Sequence, residues 1–168
     1  EQITLTQHWD ILTMDVSKIL EFEEGLVLHP YLCSEGYVTI GLGTKLHKSK
    51  GLDPNDFPIR VSRRMAVEWL HSELAIKDSR LTSLKGKVYQ GLSPDRQAII
   101  MSMTYQLGTK GILGFRNMWR NLKDGNYVAA GAEMMDSRWA VQTPERAERH
   151  RRVMVGEYLE VVYADWII

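Results

Sequence analysis

Residues 23–44 read EEGLVLHPYLCSEGYVTIGLGT, and this stretch decides the fold because it joins a helix to a glycine-rich β-region. Asp15 is a suitable N-cap for the helix and Gly25 is a suitable stop. Between them, apolar residues recur at helical spacing: Val16, Ile19 and Leu20. We therefore expect one helix that starts at Asp15 and ends at Glu24.

Two carboxylates stand at the end of this predicted helix. Glu23 and Glu24 fall in its last turn. The carboxyl end of a helix carries partial negative charge, so ionised carboxylates are disfavoured there. Acidic residues placed against the local electrostatics indicate a purpose other than helix stability.

The second half of the stretch is predicted to form β-structure. Tyr37, Thr39 and Ile40 favour strands, and Ser-Glu-Gly supplies a turn before them. We expect a small hairpin or a three-stranded sheet in the region up to about residue 61. Residues 48–58, KSKGLDPNDFP, are predicted to be a loop because they contain two prolines.

From residue 62 onward the pattern is helical. The predicted N-caps are Ser62, Ser93, Asn126 and Thr143, and a proline follows two of them. The second of these helices is predicted to end at Gly108, and a shorter helix covers residues 114–125. The aromatic and methionine positions expected in the core are Trp69, Met101, Met103, Trp119, Met134, Met135, Trp139 and Trp166.

The order of these elements predicts the fold class. Strands grouped early and helices grouped later indicate an α+β fold that is mainly α. The residues before the first helix, ITLTQ at 3–7, are predicted to form a short strand or an extended arm. The whole chain is expected to be one domain.

The composition argues against several classes of protein. The chain has 168 residues, of which 44% are hydrophobic and 25% are charged, as in an ordinary globular domain. Its 21 basic and 21 acidic residues give zero net formal charge, whereas a nucleic-acid-binding domain usually has a basic excess. Residues 138–152 hold five Arg against two Glu, a pattern typical of a solvated helix face.

No cofactor, metal or membrane span is predicted. The single cysteine cannot form an intramolecular disulfide, and the five histidines lack metal-ligand spacing. No apolar run approaches the ~18–20 residues of a membrane-spanning helix. The first residues, EQITLTQHWD, lack both the pattern of a secretory signal and an initiator methionine. We therefore expect the chemistry to come from amino-acid side chains.

A carboxylate at a helix end beside a polar hairpin suits the cleavage of a glycosidic bond. That reaction needs a carboxylic acid kept protonated and a second group that activates water or attacks the anomeric carbon. Glu24 can be the acid, because burial and the helix end both favour the neutral form. On spacing alone, the same residues also fit a solvated helix end, which is the commoner case.

Several motifs resemble those of the T4-type phage lysozymes, glycoside hydrolase family 24. The run E-G-L-x-L-x-x-Y-x-x-x-E-G-Y-x-T-I-G-x-G, from Glu24 to Gly43, is similar to the active-site segment of that family. YQLG at 105–108 resembles its aromatic-Gln-Met-Gly helix end, and Gly-Phe followed by Asn117 also fits. SRWxxQTPxRA at 137–147 resembles its C-terminal signature. The resemblance covers about residues 15–165.

The resemblance implies a bilobed fold with a peptidoglycan cleft. The small β-containing lobe would span about residues 15–61 and the helical lobe about residues 62–168. The implied activity is that of a muramidase, which hydrolyses the β-1,4 bond between N-acetylmuramic acid and N-acetylglucosamine in bacterial peptidoglycan. Such a protein is expected to act as a monomer, without a cofactor, in the bacterial periplasm during lysis of the host cell.

The resemblance also implies roles for individual residues. Glu24 falls on the general acid of the family, and Thr39 falls on the threonine near the attacking water. Arg146 falls on the arginine that contacts the catalytic glutamate from the helical lobe. The positions that bind or line the saccharide and peptide are Glu35, Gln106, Arg138 and Thr143.

Cys33 stands where the family typically carries an aspartate, on the water side of the catalytic group. A free thiol has a pKa of about 8.5, so it is mostly neutral at pH 7 and offers little charge. Four roles stay open: a tolerated group that orients water, a thiolate nucleophile or base, an inert replacement, or a thiol oxidised to a sulfinic acid.

Two other functions compete with the muramidase. If Cys33 is inert, the chain could be a peptidoglycan-binding module, weakly active or inactive, in a phage tail or a secretion device. Binding of nucleic acid through the arginine-rich helix is the least favoured hypothesis, because the net charge is zero.

Overall fold

The computed structural model describes residues 4–164, which form a mainly helical fold with one small sheet. The strands are β1 (Val27–Leu32), β2 (Tyr37–Gly41) and β3 (Thr44–Lys50). The helices are α1 (Leu5–Glu24), α2 (Arg63–Lys85), α3 (Lys87–Gln90), α4 (Pro94–Leu113), α5 (Arg116–Lys123), α6 (Tyr127–Met135), α7 (Arg138–Gln142), α8 (Pro144–Val155) and α9 (Leu159–Val162). The predicted α+β class, mainly α, is confirmed.

The chain divides into two compact units. The β-unit comprises Ser17–Ala75 and contains all three strands. The helical unit comprises the described residues up to Val16 together with those from Ile76 onward. The divisions between the units fall inside helices α1 and α2. None of the helices within residues 4–164 has the length and apolar character needed to cross a membrane.

The sheet is antiparallel with the strand order β1-β2-β3. The turn between the first two strands is closed by the N–H of Gly36, which donates to the carbonyl of Cys33 at 2.9 Å. This confirms the predicted Ser-Glu-Gly turn. Strand β3 extends through Lys50, which pairs with Tyr37, so the predicted loop at 48–58 begins three residues too early.

Gly41 ends β2 at a position that favours glycine. Its φ is 70°, and a Cβ atom there would lie 3.1 Å from the Cβ atom of Ala66 on α2. The preceding residues Val38 and Ile40 are fully buried, as are Ile19, Leu20, Leu70 and Leu74 of the same unit. The β-unit therefore has an apolar core of its own.

Helix α1 begins at Leu5 and not at Asp15. Thr4 and Gln7 cap it reciprocally, because Thr4 Oγ1 accepts from the N–H of Gln7 at 3.1 Å and Gln7 Oε1 accepts from the N–H of Thr4 at 2.9 Å. The predicted strand or arm is therefore wrong for the described part of ITLTQ, while Ile3 lies outside the described residues. The Thr-x-x-Gln spacing of a capping box is the signal that the prediction overlooked.

Replacing Thr4 with alanine is expected to lower the free energy of unfolding by about 1 kcal/mol, because a backbone N–H at the start of α1 loses its acceptor. Urea unfolding followed by circular dichroism measures this change. Thr6→Ala is the matched control, since Thr6 is exposed in the same helix and alanine has the higher helix propensity. An equal loss in both variants would show that the cap contributes nothing.

Three of the four predicted N-caps are confirmed, because each side chain accepts a hydrogen bond from the N–H three residues later: Ser62 from Met65, Ser93 from Arg96 and Asn126 from Ala129. Thr143 is the exception. It occupies the N-cap position of α8, but its side chain accepts no hydrogen bond from the helix; its hydroxyl donates to the carbonyl of Trp139 at 2.9 Å. Helix α8 nevertheless begins at Pro144, as its sequence predicts.

Other helices are divided differently from the prediction. Gly108 has a φ of 77° and a ψ of 166°, as a helix stop requires, but helical structure resumes and α4 runs to Leu113. Helix α7 is absent from the sequence-based prediction, although Ser137 caps it by accepting from the N–H of Ala140 at 3.1 Å. The last predicted helix breaks at Gly156 into α8 and α9, because a φ of 128° interrupts the helical path.

Most of the predicted core positions are confirmed. The buried ones are Met101, Met103, Trp119, Met134 and Trp139. Trp69 and Met135 are only partly buried, because each lies next to a fully buried residue, at the margin of the buried face of its helix. Trp166 lies outside the described residues.

Candidate active site

Glu24 is the last residue of α1 and lies just before the chain turns into the sheet. The N–H of Gly25 donates to the carbonyl of Glu21 at 3.0 Å, and the φ of Gly25 is 78°. The predicted helix stop is therefore confirmed. Strand β1 begins at Val27, so the partly buried Glu24 side chain stands between a helix end and the start of a strand.

The register of β1 and β2 gathers Tyr31, Cys33 and Thr39 on one face of the sheet. Tyr31 pairs directly with Thr39, and the N–H of Cys33 donates to the carbonyl of Tyr37 at 2.9 Å. Because side chains alternate along a strand, residues two apart share a face. This face of the β-unit therefore brings together a phenol, a thiol and a hydroxyl.

The surroundings of Cys33 favour its thiolate. Burial acts to raise the pKa of the thiol, but hydrogen bonds to the sulfur outweigh burial, and the pKa lies below its ordinary value. The donors are the hydroxyl of Thr39 and the backbone N–H groups of Tyr37 and Glu35, while the charge of Glu35 opposes them. At neutral pH the partly exposed Cys33 therefore carries more negative charge than a free cysteine does.

The hydroxyl of Thr39 has one proton and two acceptors. It donates to the carbonyl of Tyr37 at 2.9 Å and is also bonded to the sulfur of Cys33. A neutral thiol can donate to Thr39 while Thr39 donates to the carbonyl, whereas a thiolate accepts the hydroxyl proton. Thr39 is buried, and the orientation of its hydroxyl is thus coupled to the ionisation of Cys33.

Tyr31 is the residue of this site that the sequence-based prediction did not assign. Burial, the charge of Glu24 and the charge of Cys33 together raise the pKa of its phenol. The side chains of Tyr31, Glu24 and Cys33 are therefore close enough for their charges to interact. Because its pKa is raised, the phenol of Tyr31 keeps its proton and can act as a hydrogen-bond donor. The signal that could have found Tyr31 is its place in the strand opposite Thr39.

Glu35 lies in the turn after Cys33 and pairs with Lys45 of β3. The Nζ atom of Lys45 is 3.1 Å from the carboxylate and 4.0 Å from the centroid of the Tyr37 ring. Both side chains of the ion pair are about half exposed, so the pair contributes little to stability. The carboxylate of Glu35 is consequently available to a ligand from solvent.

Three of the predicted substrate-binding residues gather about Trp139 in the helical unit. Trp139 Nε1 donates to Gln106 Oε1 at 2.7 Å, and the hydroxyl of Thr143 donates to the carbonyl of Trp139. Arg138 directly precedes Trp139 at the start of α7. The indole is 3% exposed and contacts the ring of Phe115 edge-on at 6.1 Å. This buried tryptophan therefore holds the group together.

A cavity of about 660 Å³ opens beside Trp139, and we call it the α4–α7 cavity. Its lining includes Arg138 but neither Gln106 nor Thr143. Its volume is typical of sites for small molecules, ~300–1,000 Å³. Within residues 4–164, His, Cys, Asp and Glu side chains form no group of three or more that could hold a metal ion.

Arg146 is buried in the helical unit within a polar network. Its Nη2 atom donates to Ser102 Oγ at 3.1 Å, and Ser102 Oγ lies 2.8 Å from His150 Nε2. The other ring nitrogen of His150 lies 3.0 Å from the hydroxyl of Tyr163. Connected buried bonds of this kind hold the guanidinium in one orientation.

The stability of the protein is expected to fall in acid because of His150. Burial, followed by the charges of Arg146 and Arg149, holds the pKa of His150 well below its ordinary value. The unfolded chain binds a proton below about pH 6.5 and the folded protein does not, so the free energy of unfolding falls by up to ~1.4 kcal/mol per pH unit. Urea unfolding measured between about pH 7.5 and 5 should lose this contribution in His150→Gln. A slope unchanged by the substitution would contradict the expectation.

A mainly helical α+β chain, with a carboxylate between its first long helix and a three-stranded sheet, has the lysozyme-like fold. The family model described as phage lysozyme matches residues 21–153, so this chain belongs to the phage lysozyme family. The resemblance to T4-type lysozymes is thereby confirmed. Family membership supports a glycoside hydrolase activity, with peptidoglycan as the substrate that the family implies.

Curated relatives fall into two groups. "Probable T4-type lysozyme 1" of Dictyostelium discoideum is 26% identical over 82% of this chain and 92% of its own length. "Probable T4-type lysozyme 2" of the same organism is 23% identical, with the same coverage. The pre-baseplate central spike protein Gp5 of Enterobacteria phage T4 is 28% identical over 88% of this chain but only 28% of its own length. Similar sequences therefore occur both as nearly whole proteins and as a part of a larger one.

Proposed function

We propose that this protein is a muramidase, which hydrolyses the β-1,4 bond between N-acetylmuramic acid and N-acetylglucosamine in peptidoglycan. The observation that carries the proposal is the grouping of Glu24, Tyr31, Cys33 and Thr39 in the β-unit. A carboxylic acid beside a hydrogen-bonded anionic group is the pair that hydrolysis of a glycoside requires. We further propose that it acts as a monomer in the bacterial periplasm during host cell lysis.

In this proposal Glu24 protonates the leaving oxygen and Cys33 helps to orient the attacking water. The Cys33 thiolate accepts a hydrogen bond from the water, and Thr39 orients it toward the anomeric carbon. The lowered pKa of Cys33 supports this role, because it makes the sulfur anionic in a larger fraction of molecules near neutral pH. Of the four roles open for Cys33, we therefore favour the one in which it orients the water.

Substrate binding is assigned to Glu35 in the β-unit and to Gln106, Arg138 and Thr143 in the helical unit. The exposed carboxylate of Glu35 and the exposed guanidinium of Arg138 are suitable partners for sugar hydroxyls and peptide groups. Arg146 is proposed to support the general acid, and its buried network suits a residue whose orientation matters.

Release of reducing ends from purified peptidoglycan, with the products sized by mass spectrometry, tests this function. Products that end in N-acetylmuramic acid at the reducing end are expected. Absence of new reducing ends at every pH between about 5 and 8 would overturn the proposal.

A second candidate function is a peptidoglycan-binding module of a phage tail. The similarity to part of the spike protein Gp5 and the cysteine at position 33 favour it. Sedimentation of the protein with intact sacculi, without release of reducing ends, is the result that would support this function and exclude the first.

A further inference from the structure

The polar network around Arg146 contains two buried side chains to which no role has been assigned. Arg146 and His150 lie one turn apart on α8, and the Ser102 hydroxyl of α4 contacts both. Ser102 and His150 have no surface exposed to solvent. Because buried polar groups are nearly always hydrogen-bonded, each proton in this network needs an acceptor.

The hydroxyl of Ser102 has two partners among residues 4–164. Nη2 of Arg146 lies 3.1 Å from Ser102 Oγ, and Nε2 of His150 lies 2.8 Å from it. A guanidinium can only donate hydrogen bonds, so Ser102 Oγ accepts from Arg146. The single proton of the hydroxyl then has one acceptor within reach, which is Nε2 of His150. If Nε2 carried a proton itself, the hydroxyl proton would be buried without an acceptor.

These directions put the proton of the neutral His150 ring on Nδ1. That nitrogen lies 3.0 Å from the hydroxyl of Tyr163, to which it can donate. The rings of Trp139 and Tyr163 contact the imidazole edge-on, with centroids 5.8 and 6.4 Å away, and restrict its rotation. The hydrogen bonds therefore run in one direction, from Arg146 through Ser102 and His150 to Tyr163.

We propose that Ser102 and His150 are positioning residues for catalysis, which orient Arg146 through this one-way chain of hydrogen bonds. By taking the hydroxyl proton, Nε2 of His150 leaves the lone pairs of Ser102 Oγ to the guanidinium. A hydroxyl that donates one hydrogen bond is also a better acceptor of another. This role rests on the proposed function, because Arg146 is the residue proposed to support Glu24.

The tautomer of His150 can be measured without any catalysis, by nitrogen-15 NMR of protein labelled on its histidines. At neutral pH we expect His150 to carry its proton on Nδ1 and none on Nε2. The signal missing from His150→Gln identifies this residue among the five histidines. If that variant does not fold, replacing the other four histidines one at a time gives the same assignment. A proton on Nε2 would overturn the proposal.

Replacing Ser102 with alanine should lower kcat for the release of reducing ends about tenfold and leave KM nearly unchanged, because the guanidinium loses its fixed orientation while the substrate keeps its contacts. Thr104→Val is the matched control, since it removes a buried hydroxyl of the same helix that donates to the carbonyl of Ile100 at 2.7 Å. This control should keep a kcat near that of the native protein. Equal losses in the two variants would overturn the proposal, because any lost hydroxyl in α4 would then have the same effect.

A double variant shows whether Ser102 acts through Arg146. Ser102→Ala should cause no further loss of rate when it is combined with Arg146→Ala, because the group that it orients is already absent. The same tenfold loss in that background would contradict a positioning role. Absence of reducing ends from the native protein would instead count against the muramidase proposal. Since the tautomer of His150 is measured without substrate, the two failures are distinguishable.

Discussion

Replacing Glu24 with glutamine is expected to lower the rate of reducing-end release by about 10²- to 10⁴-fold, the usual contribution of a general acid. Glutamine has nearly the same shape, but its amide cannot transfer a proton to the leaving oxygen. Substrate binding should change little. The fall in rate should therefore appear as a lower kcat, while KM should stay near that of the native protein. Initial rates on purified peptidoglycan measure both constants.

Glu23→Gln is the matched control, because Glu23 lies in the same last turn of α1 and the substitution removes the same charge. This variant should keep at least about a third of the native rate, since a substitution at a position with no proposed catalytic role usually has a small effect. Equal losses in the two variants would assign the effect to the charge of the helix end and not to proton transfer.

Replacing Cys33 with alanine is expected to lower kcat by about 10²-fold, because the attacking water loses its anionic partner while Thr39 remains. Cys33→Asp should retain or exceed the native rate, since it restores a carboxylate on the same face of the sheet. The same assay on purified peptidoglycan measures both. A dead Cys33→Asp beside an active Cys33→Ser would show that the role of this residue is steric or based on neutral hydrogen bonding.

The pH profiles of these proteins separate a thiolate from a neutral thiol. If the ionised sulfur is the active form, the rate of the native protein rises as the pH passes through the pKa of Cys33, which lies below the ordinary value. In Cys33→Asp this rise should move toward an aspartate pKa of about 4. Identical profiles for the two proteins would show that ionisation of Cys33 does not limit the rate.

The β-unit was largely predictable because its residues leave few alternatives. Gly25 and the Ser-Glu-Gly turn are at positions where the backbone needs a conformation that glycine adopts freely. These glycines determine where α1 ends and where the hairpin between β1 and β2 turns. They therefore also determine the position of Glu24. The N-caps Ser93 and Asn126 could also be predicted, because a continuous helical pattern follows each of them.

Local propensity misled the prediction where a nearby partner competes. Thr4 lies among β-prone residues, but its bonds with Gln7 offset that preference and start α1 early. Thr143 stands at the N-cap position of α8, yet its hydroxyl is bonded to the carbonyl of Trp139 and accepts no N–H of the helix. Both outcomes depend on which partner is within reach, and the spacing of single residues does not decide that.

The sequence also predicts the candidate site only in part. The carboxylate of Glu24, the thiol of Cys33 and the hydroxyl of Thr39 were recognisable as chemical groups in the sequence. The downward shift in the pKa of Cys33 was not, because it arises from donors that the turn and strand register supply. Tyr31 also became visible through the register, which puts it opposite Thr39.

The partly exposed Cys33 is the only cysteine of the chain, and this has a practical consequence. Reaction with a chromophoric disulfide reagent would report on one sulfur atom, at a position proposed to take part in catalysis. The number of reactive thiols per chain then counts the competent molecules in a preparation, as an active-site titrant does for a protease. Storage under air would lower this count and the specific activity in parallel, and a reductant in the buffer would preserve both.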